Sequence, residues 1–83
     1  MNDYYFTYRS VTLAQRALRA LTDAGIPARL RRTPGPLAKN GCGYCLQVSP
    51  SWAGAAAETL RGTGAQGAWL HRGERYEAAD DLL

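Results

Sequence analysis

The sequence has little of the residues that enzyme sites and membrane segments usually require. It contains one histidine, one methionine and two cysteines among 83 residues, and its longest apolar runs are Tyr4–Phe6 and Trp52–Ala57. Both runs are far shorter than the ~20 residues that a transmembrane helix needs. No basic segment followed by an apolar one opens the chain, because Asp3 and Arg9 flank a short aromatic stretch, so no signal peptide is expected. We therefore expect a cytoplasmic protein without a membrane segment.

Basic charge is present but is not concentrated in one place. Ten Lys+Arg residues against seven Asp+Glu residues give a formal net charge of +3. The arginines fall into separate segments of the chain, whereas duplex nucleic-acid binders usually carry a dense basic stripe. Nucleic acid is therefore not the expected partner.

The pattern of residue types predicts four strands and two helices in a single domain. Aromatic and β-branched residues, or alternation of apolar and basic residues, indicate the strands. Helical spacing from Val11 to Leu21, between an N-cap at Ser10 and a stop at Gly25, predicts the first helix. Ser49 and Pro50 predict the start of the second. The strands are expected near 4–8, 28–33, 43–48 and 66–71, a loop with no helix at 34–41, and a C-terminal tail at 73–83.

The order strand, helix, strand, strand, helix, strand predicts an α+β fold. We expect a ferredoxin-like βαββαβ sandwich, in which two helices cover one face of an antiparallel sheet and the other face stays open. The domain is expected to span residues 1–83, with its core at about 4–71.

The two cysteines form a C-x-x-C pattern where the proline- and glycine-rich loop meets the third strand. Strand alternation places Tyr44 on the helix side and Cys45 on the open face. Cys42 lies in the loop between Gly41 and Gly43, which leave its backbone free to approach a partner molecule. A disulfide between the cysteines would need a turn at these glycines, which the sequence permits but does not demand.

A reactive thiol and a buried one both remain open at this stage. Arg29, Arg31 and His71 are candidates for electrostatic support on the open face, where positive charge would lower the pKa of a thiol. Burial for packing is the alternative for either cysteine. A zinc site needs four ligands, which two cysteines and one histidine do not supply unless two chains pool them, so neither a metal nor a cofactor is expected.

RNA binding is the alternative that the order of elements raises. The third-strand signature of the RNA-recognition motif is matched at Gly41, Gly43 and Tyr44. Cys42, however, replaces a stacking aromatic, and in that register Gln47 would occupy a core position. A non-catalytic RNA- or protein-binding module that uses the open sheet face, with Tyr5, Arg29 and Arg31, therefore stays as the second hypothesis.

Three stretches of the sequence resemble a small bacterial family, the Putative Se/S carrier protein-like family. They are the opening Tyr4–Ser10, the Ala24–Leu30 segment after the first helix, and Gly41–Val48, which together place the resemblance over about residues 4 to 71. The Gly-Cys-Gly run followed by an apolar strand is its most specific part. Cys45 departs from the family pattern, in which a small apolar residue commonly stands at that position.

The resemblance implies a carrier rather than an enzyme. The family's loop cysteine, here Cys42, would hold sulfur or selenium as a persulfide or selenosulfide and pass it on. The implied partners are a cysteine or selenocysteine lyase, selenophosphate synthase or sulfur-relay proteins, and the domain could also form a homodimer. Cys45 would then be a resolving thiol that releases the cargo by closing a disulfide.

Overall fold

The structure is a computed structural model that describes residues 2–41 and 43–83, with the backbone alone described at Lys39 and Asn40. It contains two α-helices and one antiparallel sheet of five strands in the order β2-β3-β1-β4-β5. The helices are α1 (Val11–Asp23) and α2 (Ala53–Leu60), and the strands are β1 (Tyr4–Tyr8), β2 (Arg29–Arg32), β3 (Tyr44–Val48), β4 (Gly67–Arg72) and β5 (Arg75–Ala78).

The prediction of a small α+β domain is confirmed, and the sheet has one strand more than predicted. The segment 73–83, expected as a tail, is instead part of the fold. Its strand β5 pairs with β4, and the Asp80 carboxylate accepts a 2.8 Å hydrogen bond from the Ala68 N–H. The ferredoxin-like assignment, which rests on four strands, stays a prediction.

Helix α1 begins and ends at the residues that the sequence indicates. Ser10 accepts a 3.1 Å hydrogen bond from the Leu13 N–H, as an N-cap does. At the other end Gly25 has φ 76°, and the Ile26 N–H donates to the Leu21 carbonyl at 2.9 Å. This pair of features is a Schellman ending, in which glycine takes the left-handed conformation that other residues avoid.

The second α-helix begins later than predicted. A 3₁₀ turn, Pro50–Trp52, precedes α2, and the Ser49 hydroxyl bonds to Ser51 at 3.3 Å instead of capping the backbone. Proline fits the first position of this turn because its missing N–H has no partner to lose there. Trp52 remains 39% exposed.

The larger core lies between the helices and one face of the sheet. Leu21 of α1 and Leu60 of α2 pack in the same buried cluster as Phe6 of β1 and Leu46 of β3. The prediction that Tyr44, Leu46 and Val48 face the helices is confirmed. Val11, the apolar residue at which the helical spacing begins, is 36% exposed at the first position of α1 and lies outside this core.

The opposite face of the sheet was expected to be open, but in the structure it is partly covered. The loop between β2 and β3 contains a 3₁₀ helix, Gly35–Asn40, which we call the cover helix. Pro36 is tolerated near its start because the first hydrogen bond is made by the Leu37 N–H, to the Pro34 carbonyl at 2.9 Å. Leu37 is 7% exposed and packs in a second buried cluster with Tyr5 and Cys45.

Candidate functional site

The glycines on either side of Cys42 lie in open surroundings at one end of the sheet. Cys42 itself lies outside the described residues, so its predicted place at the loop–strand junction stays a prediction. Gly41 ends the cover helix with φ 79°, and the Gly43 carbonyl accepts a 3.1 Å hydrogen bond from the Thr33 N–H. A Cβ built at either glycine would meet no heavy atom of the described residues within 4 Å. Among the described residues, the backbone at Gly41 and Gly43 therefore has open space where a side chain would stand.

Cys45 lies on the predicted face of the sheet, but it is sealed from solvent. Its exposure is 0%, because Leu37 of the cover helix and Tyr5 of β1 pack in the same cluster on this face. The thiol donates a long hydrogen bond, 3.9 Å, to the Arg32 carbonyl. Cys45 is thus a free and buried thiol.

Of the two alternatives left open for Cys45, a reactive thiolate and a buried thiol, the structure supports the buried thiol. Burial raises the pKa of the Cys45 thiol to about 11. The Thr33 hydroxyl and the Arg31 guanidinium both lower this pKa, but together they do not offset the burial. Burial removes water from the thiolate and so disfavours this charged form, and the attraction of one cation at a distance is too weak to compensate.

Thr33 is a residue of this region that the sequence did not identify. It follows β2 and is 9% exposed, and its Oγ1 is buried with no hydrogen-bond partner among the described residues. A buried hydroxyl without a partner costs free energy, so it calls for a physical explanation. The hydroxyl lowers the pKa of Cys45 as a hydrogen bond to the thiol would, although no hydrogen bond of ordinary geometry joins the two side chains. The Thr33 N–H donates to the Gly43 carbonyl at 3.1 Å. A threonine at the end of a basic strand carries no sequence signal for either contact.

Of the predicted supporting residues, Arg31 lies beside Cys45 in the part of the chain that the structure describes. It pairs with Cys45 across β2 and β3, while Arg29 pairs with Gln47 two positions further along. The Arg31 guanidinium donates a 2.9 Å hydrogen bond to the Gln47 Oε1, and the Gln47 amide donates to the Asp3 carboxylate. The polar chain from Arg31 to Asp3 therefore runs away from Gly43, toward the far end of β3.

His71 lies at the opposite end of the strands from Gly43. Its N–H donates to the Asp3 carbonyl at 2.9 Å, beyond the last paired residue of β1. Its ring stacks on Tyr76 with centroids 4.4 Å apart and an angle of 11° between the planes. Five residue steps along a strand are roughly 16 Å, so the structure does not bring His71 to the glycine pair.

The same packing bears on the RNA-binding alternative. Tyr5, proposed for the binding face, is 4% exposed, so its ring cannot stack on a base without displacement of Leu37. The aromatic side chains that remain half-buried on this face, Trp69 and Tyr76, belong to β4 and β5. A stacking platform on the two central strands, which RNA-recognition motifs use, is therefore covered here.

The described residues contain no group of three or more histidine, cysteine or acidic side chains that could hold a metal ion. Nor is any helix within residues 2–41 and 43–83 long and apolar enough to cross a membrane. Both statements concern only the part of the chain that the structure describes.

The fold and the site together define a small α+β domain in which one cysteine is sealed and the other lies between two unobstructed glycines. Comparison with known families matches residues 3–72 to the family described as Putative Se/S carrier protein-like. The match covers most of the chain, and the chain belongs to this family. No curated protein and no solved structure matches it.

Proposed function

We propose that the chain is a carrier that holds sulfur or selenium on Cys42 and passes it to a partner enzyme. The observation that carries the proposal is the contrast between the two thiols in a chain of this family. Cys45 is 0% exposed with a pKa of about 11, whereas both neighbours of Cys42 lie in open surroundings. A carrier needs an accessible nucleophilic sulfur and no catalytic base of its own, so the proposal makes the protein a carrier and not an enzyme.

Loading is a simple exchange between sulfur atoms. The Cys42 thiolate attacks the outer sulfur of a persulfide on the donor's cysteine, and the donor thiolate leaves. The sulfur–sulfur bond of the donor breaks as that of Cys42 forms, and no external oxidant or reductant is consumed. A selenium atom transfers in the same way. We propose a cysteine or selenocysteine lyase as the donor, and selenophosphate synthase or a sulfur-relay protein as the acceptor.

Release by Cys45, the role of a resolving thiol, would require a change of conformation. Attack of the Cys45 thiolate on the inner sulfur of the Cys42 persulfide would form a disulfide and release sulfide. In the structure that thiol is protonated at neutral pH and covered by Leu37. We therefore propose that transfer to the acceptor does not depend on Cys45.

The test is to incubate the protein with a cysteine lyase and cysteine, or with a selenocysteine lyase and selenocysteine, and to record intact masses. Wild type and Cys45→Ser should each gain one sulfur or selenium atom, and Cys42→Ser should gain none. Equal loading of Cys42→Ser and wild type would show that the assignment of Cys42 is wrong. If none of the three proteins loads, the carrier function itself is wrong.

A second variant tests whether open surroundings matter. Gly43→Val adds bulk where nothing lies within 4 Å of a Cβ, so the free energy of unfolding should change by less than about 1 kcal/mol. Loading from the lyase should slow because the donor must approach past the new side chain, while alkylation of Cys42 by a small reagent should continue. Unchanged loading by the lyase would show that close approach at Gly43 is not required.

A further inference from the structure

We infer that the outer edge of β2 is a docking edge for an acidic, extended segment of a partner protein. The inference rests on the proposed function for the partner's role, since a carrier must dock on the proteins that load and unload it. Its physical basis is independent of that function. It consists of an unpaired strand edge and three arginines without carboxylate partners, on the strand that neighbours the Gly43 end of β3.

Strand β2 lies at the edge of the sheet and pairs with β3 alone. The Thr33 N–H donates to Gly43, so by alternation Arg31 and Arg29 also direct their backbone groups toward β3. The N–H groups of Leu30 and Arg32 therefore point outward, to the open edge. An added strand would be held there by main-chain hydrogen bonds, as in other proteins that bind extended peptides at a sheet edge.

The side chains of β2 define the chemistry of such a strand. Arg29, Arg31 and Arg32 are exposed, and Leu30 between them is half-buried. The ion pairs found among the described residues, Arg19–Asp23 and Arg72–Glu77, involve none of the three. They therefore present charge that no carboxylate of the described chain neutralises.

The same charges argue against a second copy of this chain as the occupant. Two β2 edges would bring arginines opposite arginines, and like charges on paired strands are destabilising. An acidic strand would instead place carboxylates opposite these arginines, so each position that repels a second copy attracts the acidic strand. The arginines thus exclude self-association at this edge and admit an acidic partner.

Strand alternation makes the preferred partner sequence specific. Arg29 and Arg31 project on one face and Leu30 on the other. A matching strand carries two carboxylates separated by one apolar residue, followed by a third acidic residue opposite Arg32. A partner docked in this way forms the strand outside β2, so β2 separates it from Gly43 at the start of β3 by about 10 Å, two strand spacings.

The experiment measures binding of synthetic peptides to the full chain by amide chemical shifts and hydrogen exchange. The first peptide repeats Glu-Val-Glu-Glu, the complement of Arg29–Arg32. The second has the same charge with proline at alternate positions, so it cannot form a ladder. The first peptide should shift the amides of Leu30 and Arg32 and slow their exchange, and the second should bind about tenfold more weakly.

Matched variants separate this edge from general attraction to a basic protein. Replacement of Arg29, Arg31 and Arg32 by Gln should weaken binding by about tenfold or more. Replacement of Arg16, Arg19 and Arg75 by Gln removes the same charge elsewhere and should change the affinity for the acidic peptide by less than about twofold.

Three results would overturn the inference. The first is an equal loss of peptide affinity in both triple variants. The second is equal affinity of wild type for the two peptides. The third is the absence of chemical-shift changes at the Leu30 and Arg32 amides at millimolar peptide. A single-stranded oligonucleotide that bound the same amides more tightly than the acidic peptide would assign the edge to nucleic acid instead. None of these measurements uses sulfur loading. A chain that loads but fails to bind therefore refutes the docking edge alone, and one that binds but fails to load refutes the carrier alone.

Discussion

Arg31 and Cys45 are paired across strands β2 and β3, yet burial rather than the arginine sets the protonation of the thiol. The guanidinium is turned toward Gln47, to which it donates at 2.9 Å, and the sulfur lies beneath the cover helix. A basic neighbour in sequence or register is therefore not enough to make a thiol reactive. To lower the pKa of a thiol, the cation must lie close to the sulfur atom, and the sulfur must keep some contact with water.

The first prediction concerns the reactivity of the two thiols. In Cys42→Ser, which retains Cys45, alkylation by iodoacetamide should be slow at neutral pH and should accelerate until the pH reaches about 11. At pH 7 such a thiol is ionised in only about one molecule in ten thousand. Cys45→Ser, which retains Cys42, should react much faster, and the two variants should react alike in denaturant. Rapid alkylation of folded Cys42→Ser at neutral pH would contradict the burial of Cys45.

The second prediction concerns the cover helix. Leu37→Ala should open the cluster over Cys45, so alkylation of Cys45 in a Cys42→Ser background should accelerate about tenfold or more. The substitution should also destabilise the fold by roughly 2–4 kcal/mol, as for other buried leucines. Leu60→Ala is the matched control, because Leu60 is also a buried leucine but belongs to the helix-side core. If both variants accelerate alkylation equally, global unfolding exposes Cys45 and the cover helix has no specific role.

Features encoded by neighbouring residues could be predicted from the sequence. The cap at Ser10, the glycine ending at Gly25 and the two faces of β3 depend on residues a few positions apart, and each is confirmed. The start of the second helix was predicted too early. The Ser49 hydroxyl bonds to Ser51 instead of capping the helix backbone, and residue type alone does not decide which of these bonds a serine makes.

Features that depend on long-range packing could not be predicted. The segment 34–41 has the composition of a loop, but Leu37 finds an apolar surface made by Tyr5 and Cys45, and this packing favours the 3₁₀ helix there. Burial of Cys45 follows from that contact, so the sequence alone could not decide between a reactive and a buried thiol. Strand β5 was missed because its pairing with β4 and the Asp80 hydrogen bond fix a segment that is weakly patterned by itself.

The third prediction concerns the Thr33 hydroxyl. Thr33→Val keeps the shape of the side chain and removes a buried oxygen that forms no hydrogen bond of ordinary geometry with the described residues, although it lies close enough to the Cys45 thiol to lower its pKa. The free energy of unfolding should therefore be unchanged or should rise by about 1 kcal/mol. The pKa of Cys45 should rise further, since the hydroxyl lowers it, and alkaline alkylation of Cys45 should slow in the Cys42→Ser background. Thr33→Ser should behave as wild type. A large loss of stability in Thr33→Val would show that the hydroxyl has a partner.

The same thiol should make stability depend on alkaline pH. The pKa of Cys45 is about 11 in the fold against an ordinary value of 9.0, so the unfolded chain loses this proton first. The resulting stabilisation is complete below pH 9 and is lost as the pH rises from 9 to 11. A difference of this size corresponds to on the order of 2–3 kcal/mol. Burial also raises the pKa of Tyr5 and Tyr8, which adds to the alkaline loss.

The fourth prediction isolates the share of Cys45 by comparing Cys42→Ser with the double variant Cys42→Ser, Cys45→Ala. Urea unfolding should show a steeper loss of stability between pH 9 and 11 in the protein that retains Cys45. Both proteins keep the two buried tyrosines, so the tyrosine contribution cancels and the difference between the curves belongs to the thiol. Below pH 9 the curves should run parallel, offset only by the packing lost with the sulfur. Parallel curves over the whole range would mean that Cys45 ionises as readily in the fold as in the unfolded chain. The seal formed by Leu37 and Tyr5 would then not exclude water from the sulfur.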